Sequence, residues 1–224
     1  MPFTVEVCPP CSESGWDVHD IRNKAIRQWR TYANRWGEYF GVNPGLILAV
    51  VSLESNGNVD AGRGTSYVGL TQIGQGILDM YNKAKKTSYR LTDLTGDGPT
   101  ITTDSAAADL AIKIFAEFVS NALAVLDASA DTYPQDKLVK DATTNWNGSI
   151  CSGTETFTFY PFSSENGGTV TGRRIPNNFS CYGENIYRLM SYASSWCGTS
   201  PWYSKSLSDV TFSDTYRKVV GRTV

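Results

Sequence analysis

The chain has 224 residues, a formal net charge of −2 and 19% charged residues. That length forms one sizeable domain or two small ones, with core enough to need no metal or disulfide staple. The 41% hydrophobic content excludes a disordered chain, the 20 glycines show no collagen repeat, and the low, balanced charge excludes a basic nucleic-acid stripe.

The first residues, Met1 to Gly15, carry Glu6 and Pro9-Pro10 and lack a basic start followed by an apolar stretch, so they do not read as a secretory signal. Residues 1–16 are taken as an N-terminal extension, 17–197 as the main domain and 198–224 as a polar and aromatic C-terminal tail. Val18, Ile21, Ala25, Trp29, Tyr32 and Trp36 recur at three and four, which predicts one long amphipathic helix from Asp17 to about Phe40. Gly41 ends it. Asn43-Pro44 then reads as a cap followed by proline in the first turn, opening a second helix through Leu46, Ile47, Val50, Val51 and Glu54.

A glycine-rich loop spans Asn56 to Thr65, a short helix follows Gly69 to about Lys85, and a polar loop runs to Asp104. The next helix, Ser105 to about Leu126, is the most hydrophobic and is expected at the centre of the domain. Asp109, Lys113 and Glu117 interrupt it, and the longest fully apolar run, Leu46 to Val51, is far short of a bilayer span, so the chain reads as soluble.

Beyond it, a helix is expected from near Pro134 with Leu138, Ala142 and Trp146 on one side. From Thr154 to Tyr160 the period changes to two. With Gly167-Gly168 followed by Thr169-Val170-Thr171, this predicts a β-hairpin inserted at about residues 150–181. Helix returns from Glu184 to Trp196. The fold class expected is mainly α with an inserted β-hairpin.

Five cysteines are an odd number, and a single His leaves few partners for zinc. Cys8 and Cys11 admit a redox pair, half a zinc site or a plain turn. Cys151 and Cys181 bracket the hairpin and could pin its base as a disulfide; free thiols are the other reading.

Chemistry begins at Glu54. Helical spacing puts its carboxyl on the face of Ile47, Val50 and Val51 at a helix C-terminal end. Desolvation and the negative end of the helix dipole both favour the protonated form there, which suits a general acid; a side chain swung into water is the alternative. Gly69-Leu70-Thr71-Gln72-Ile73 follows, and Trp146-Asn147-Gly148 closes a later helix.

Glu54-Ser55, Gly69-Leu70-Thr71-Gln72 and Trp146-Asn147-Gly148, in this order, resemble the motifs of the soluble-type lytic transglycosylases of the lysozyme-like superfamily. The resemblance covers roughly Trp29 to Trp196. It implies a lysozyme-like helical domain that cleaves the β-1,4 bond between N-acetylmuramic acid and N-acetylglucosamine in peptidoglycan and leaves 1,6-anhydro-muramic ends. Glu54 matches the family's catalytic acid/base and Gln72 the glutamine that bonds the sugar beside the cleaved bond. Asn147 matches the motif Asn, with Trp146 where the family usually has Tyr. Tyr187, in Glu184-Asn185-Ile186-Tyr187, matches a tyrosine near the acid.

Three positions depart from the pattern. Thr71 replaces the usual Met, which is expected to shorten an apolar wall of the groove. Arg63 stands where the family often has a serine near the Glu, leaving Thr65 or Ser66 to supply a hydroxyl. Trp146 loses a phenol but keeps a stacking face and an N–H donor. The implied reaction needs one carboxylate, because the nucleophile is the sugar's own C6 hydroxyl. Asp60, Asp79 and Glu155 keep open a second carboxylate, and with it a goose-type muramidase.

Asp93, Thr95, Asp97, Gly98 and Asp104 fall at the first, third, fifth, sixth and twelfth places of an EF-hand-like loop. Calcium there is one reading, and a polar loop with Asp104 as helix cap is the other; no further metal or cofactor is expected. The partner implied is a peptidoglycan glycan strand, with no nucleic acid and no membrane span. Arg173-Arg174 and Phe157, Phe159, Tyr160 and Phe162 could face glycan or pack on the domain. The tail and the charge of −2 fit delivery to the bacterial wall as a phage virion or other machine component, or a non-catalytic binding protein of such an assembly.

Overall fold

The structure is a computed structural model and describes residues 24–128, 146 and 155–174. It is mainly helical, with a small antiparallel hairpin. In chain order come α1 (Lys24–Arg27), α2 (Arg30–Phe40), α3 (Pro44–Ser55), β1 (Tyr67–Val68), β2 (Ile73–Gly74), α4 (Gln75–Lys85), a 3₁₀ turn at Leu91–Leu94, α5 (Asp104–Ala128), β3 (Glu155–Phe159), a 3₁₀ turn at Glu165–Gly167 and β4 (Val170–Arg174). The helices expected near Pro134 and from Glu184, the cysteines, the N-terminal extension and the tail lie outside the described residues.

The first helix is two helices. The Trp29 amide bonds the Ile26 carbonyl three residues back, tightening the turn, while its indole Nε1 donates to the Gly57 carbonyl at 2.8 Å. A tertiary bond to a loop 28 residues away thus overrides a continuous helical period. The loop comes this close because residue 57 is glycine, at φ 77°; a Cβ there would overlap the Ala25 backbone.

Next, α3 forms as its sequence implies. The Asn43 side chain accepts from the Gly45 amide at 2.7 Å and Pro44 fills the first turn. Leu46 to Val51 are all fully buried, so the helix has no solvent face before its last turn. Each such side chain contributes about 1.5–3 kcal/mol by leaving water. That burial fixes the position of the residues at its end.

In α5, Ile112, Phe115, Phe118 and Val119 are buried, as expected of a central helix. Its charged residues are spent on neighbours. Asp109 accepts from the Trp36 indole at 2.8 Å and pairs with Arg35, Lys113 sits 4.8 Å from the Trp36 ring centre, and Glu117 pairs with Lys85 of α4. Spaced four apart, these three form one polar row on the helix. Asp104 is its first helical residue, one position from the expected cap.

The hairpin expected from the alternation is present, with Phe159 opposite Val170 and Thr158 opposite Thr171. Phe159 and Phe162 are fully buried and meet Phe118 at ring-centre distances of 5.2 and 6.4 Å. These two aromatics pack on the domain. Asn121 holds the loop between the strands, its Nδ2 donating to the Pro161 carbonyl at 2.8 Å and the Ser163 hydroxyl at 3.0 Å.

Candidate functional site

Glu54 is partly buried in the last turn of α3, where Asn56 ends the helix in the left-handed conformation. The Ser55 hydroxyl donates back to the Val51 carbonyl at 2.9 Å and accepts the Gly57 amide at 3.2 Å, which turns the chain sharply into the glycine-rich loop. At Gly62, with φ 70°, a Cβ would overlap the Tyr67 carbonyl, so only glycine lets the loop lie against β1.

The loop after Glu54 is stitched to the turn that carries Gln72. The Ala61 carbonyl accepts both the Gly69 amide at 2.9 Å and the Gln72 Nε2 at 3.2 Å. Gln72 Nε2 also donates to the Gly69 carbonyl at 3.0 Å. The Gln72 backbone stands at φ 52°, a left-handed conformation that costs a non-glycine residue about 1–2 kcal/mol. Its two side-chain bonds hold it there, and strain of this kind gathers at functional sites. With both amide protons committed, Oε1 is the Gln72 atom left to meet a ligand.

Trp146 joins the same turn. Its Nε1 donates to the Thr71 carbonyl at 3.0 Å, and its ring meets Phe115 and Phe118 edge to face, each with centres 5.0 Å apart. The indole expected to offer a stacking face and a donor is packed against the core, and its N–H fixes the turn beside Gln72. Thr71 also differs from expectation. It is fully buried, and its hydroxyl donates to the Ala111 carbonyl of α5 at 3.3 Å, so it forms no groove wall. Three of the motif segments are thus tied together, the loop after Glu54 through Ala61 and Trp146 through Thr71. Asn147 and Tyr187 lie outside the described residues.

Arg63 is exposed and turned to the carboxylates of Asp60 and Asp97, the latter at 2.7 Å. The hydrogen bond to Asp60 holds its guanidinium above the ordinary range. Thr65 spends its hydroxyl on the Tyr67 carbonyl at 2.8 Å, while Ser66 is exposed. Of the other acids weighed as a second carboxylate, Asp79 accepts from Gln75 at 2.6 Å, and the Glu155 side chain lies outside the described residues.

The acids of the EF-hand-like loop have partners within the protein. Asp93 is fully buried: Oδ1 accepts the amides of Thr100 and Ile101 at 2.9 and 2.8 Å, and Oδ2 that of Arg90 at 2.8 Å. Gly98 lies so close to this carboxylate that a Cβ would overlap it. With Asp97 on Arg63 and Asp104 opening α5, these contacts hold the loop as a turn. Among the described residues no group of three or more His, Cys, Asp and Glu side chains could hold a metal, and no helix is long and apolar enough to cross a membrane.

Sequence reasoning missed two features. The β1–β2 ladder pairs Tyr67 with Gly74 and Val68 with Ile73, strands of two residues each that leave no periodic signal. Beside it opens a groove of about 600 Å³ lined by Ser66, Tyr67, Gly74, Ile77, Met80 and Leu91 among others. The second is Glu117, whose carboxyl is pushed up by burial and partly pulled back by Lys85 and Lys113.

No protein-family model matches the sequence, and no curated protein matches it at a significant level.

Proposed function

We propose that the protein is a peptidoglycan lytic transglycosylase with Glu54 as its single acid/base. The observation that carries this reading is the pair of carbonyls, Ala61 and Thr71, through which the loop after Glu54, the Gln72 turn and Trp146 are bonded together. These bonds join three segments that the sequence keeps apart, which supports the resemblance to the transglycosylases.

Glu54 protonates the glycosidic oxygen between N-acetylmuramic acid and N-acetylglucosamine, and the bond from that oxygen to the muramic C1 breaks. The positive charge developing at C1 is stabilised by the sugar's own 2-acetamido group. Gln72 Oε1 and Asn147 orient the ring, Ser66 and Tyr187 supply hydroxyls to the groove, and Trp146 keeps the Gln72 turn in place. Glu54, now a carboxylate, takes the proton of the C6 hydroxyl as O6 bonds to C1, giving the 1,6-anhydro end and restoring the acid. A tethered hydroxyl reacts as if at very high concentration, so water needs no activation. The engagement of Asp60 with Arg63 and of Asp79 with Gln75 favours this over a two-carboxylate hydrolase. Delivery by a phage virion or another machine suits a net charge of −2, since a freely diffusing wall enzyme gains from positive charge on an anionic wall.

The test is a digest of purified peptidoglycan with mass analysis of the muropeptides. The wild type should release products one water lighter than hydrolysis products, and Glu54→Gln should release none while melting at the wild-type temperature. Reducing muramic ends would identify a hydrolase, and no release by the wild type would leave the binding role.

A further inference from the structure

Tyr67 is 61% exposed, yet its ring is not loose. It stands opposite Gly74 in the β1–β2 ladder, and a Cβ on Gly74 would come within 2.8 Å of Tyr67 Cε1 and 3.0 Å of Cδ1. The phenol ring therefore lies across the space that a side chain at position 74 would fill. One side is seated on the hairpin and the rest meets solvent, so the platform is ordered before any ligand arrives.

The groove beside it has Ile77, Met80 and Leu91 as apolar surface and Ser66 and Gln75 as uncharged polar lining, and no residue that lines it carries a formal charge. A rigid aromatic next to an apolar hollow with uncharged polar groups matches a neutral sugar bearing an N-acetyl group. The ring takes the C–H face of the sugar and the hollow takes the acetyl methyl. A stem peptide, with its carboxylates and amines, finds no charged residue in the lining. The hairpin that carries Tyr67 has the Gln72 turn as its loop, so a glycan strand lying at Gln72 can reach the platform without leaving the surface.

We propose that Tyr67 and the Ile77–Met80–Leu91 hollow form a remote sugar subsite that binds an N-acetylhexosamine of the glycan strand away from the cleaved bond. The assignment rests on the glycan reading of the site, but its test does not depend on cleavage. The probe is the N-acetylglucosamine hexamer, titrated into the full chain by calorimetry, together with the digest described above. Tyr67→Ala is expected to weaken hexamer binding about tenfold while leaving the melting temperature unchanged, as befits an exposed side chain. Tyr67→Phe should bind as the wild type does. Gly74→Ala, whose backbone at φ −92° accepts alanine, should weaken binding as Tyr67→Ala does, because the new methyl lifts the ring away. On glycan strands, Tyr67→Ala should raise KM and leave kcat unchanged.

Binding by Tyr67→Ala within twofold of wild type, or no hexamer binding by the wild type, would overturn the subsite. So would a loss in Tyr67→Phe equal to that in Tyr67→Ala, since the hydroxyl and not the face would then be responsible. Hexamer binding through Tyr67 without anhydro products would keep the subsite and sink the reaction; anhydro products with Tyr67→Ala binding unchanged would do the reverse.

Discussion

Thr71→Met restores the side chain that the transglycosylase motif usually carries, and sequence and structure disagree about its effect. If the side chain lined the groove, methionine would lengthen an apolar wall at little cost. In the structure Thr71 is fully buried and bonded to Ala111 of α5. Losing that hydrogen bond costs about 1 kcal/mol. Forcing a longer side chain between the turn and α5 costs about 1–3 kcal/mol more. Together that is ~2–4 kcal/mol, and at ~2–4 °C per kcal/mol for a domain of this size it lowers the melting midpoint by about 5–15 °C. Thr71→Val, nearly the same shape, should lose only the hydrogen bond, about 1 kcal/mol. Thermal unfolding followed by circular dichroism on the full chain measures all three proteins. A Thr71→Met midpoint within ~2 °C of wild type, with peptidoglycan digested faster, would refute the buried placement and return the side chain to the groove.

Two further outcomes follow from buried carboxylates. Because burial raises the Glu117 pKa, the unfolded chain ionises first as pH rises past the ordinary value of 4.5, and the folded state loses stability until its own raised pKa is passed. Glu117→Gln should therefore gain stability relative to wild type between pH 4.5 and neutrality; urea unfolding at both ends gives the difference, and a constant or shrinking one would contradict the sign. Asp93→Ala orphans three backbone amides and should cost about 3 kcal/mol or more, with Asp93→Asn recovering part of it. Calcium should leave the wild-type midpoint unmoved, and a rise would mean that the loop opens into an ion site.

What the sequence disclosed was local. The start of α3 was legible because Asn43 and Pro44 act within one turn, and the β3–β4 hairpin because its alternation and Gly167-Gly168 are contiguous. The break at Gln28–Trp29 was not, since its cause is a bond to Gly57. Thr71 and Trp146 were assigned to the groove by motif position, but their orientation is decided by α5, 40 residues beyond Thr71. The acids of α5 showed only that the helix does not cross a bilayer; that Glu117 would be buried against Lys85 depends on where α4 packs. For Asp93 the spacing was visible, while the amides that fill its oxygens come from both sides of a fold-dependent turn.

Because α3 is enclosed from Pro44 to Ser52, it has no position there where a change of side chain is cheap. Over evolutionary time the loop from Asn56 to Ser66 can drift, Gly57 and Gly62 apart, and alter what reaches the groove. The helix beneath can exchange only residues of like volume. A directed-evolution library aimed at new glycan preference would therefore spend its diversity best on the loop and on Tyr67, with Leu46 to Ser52 left untouched as the fixed mount of the acid.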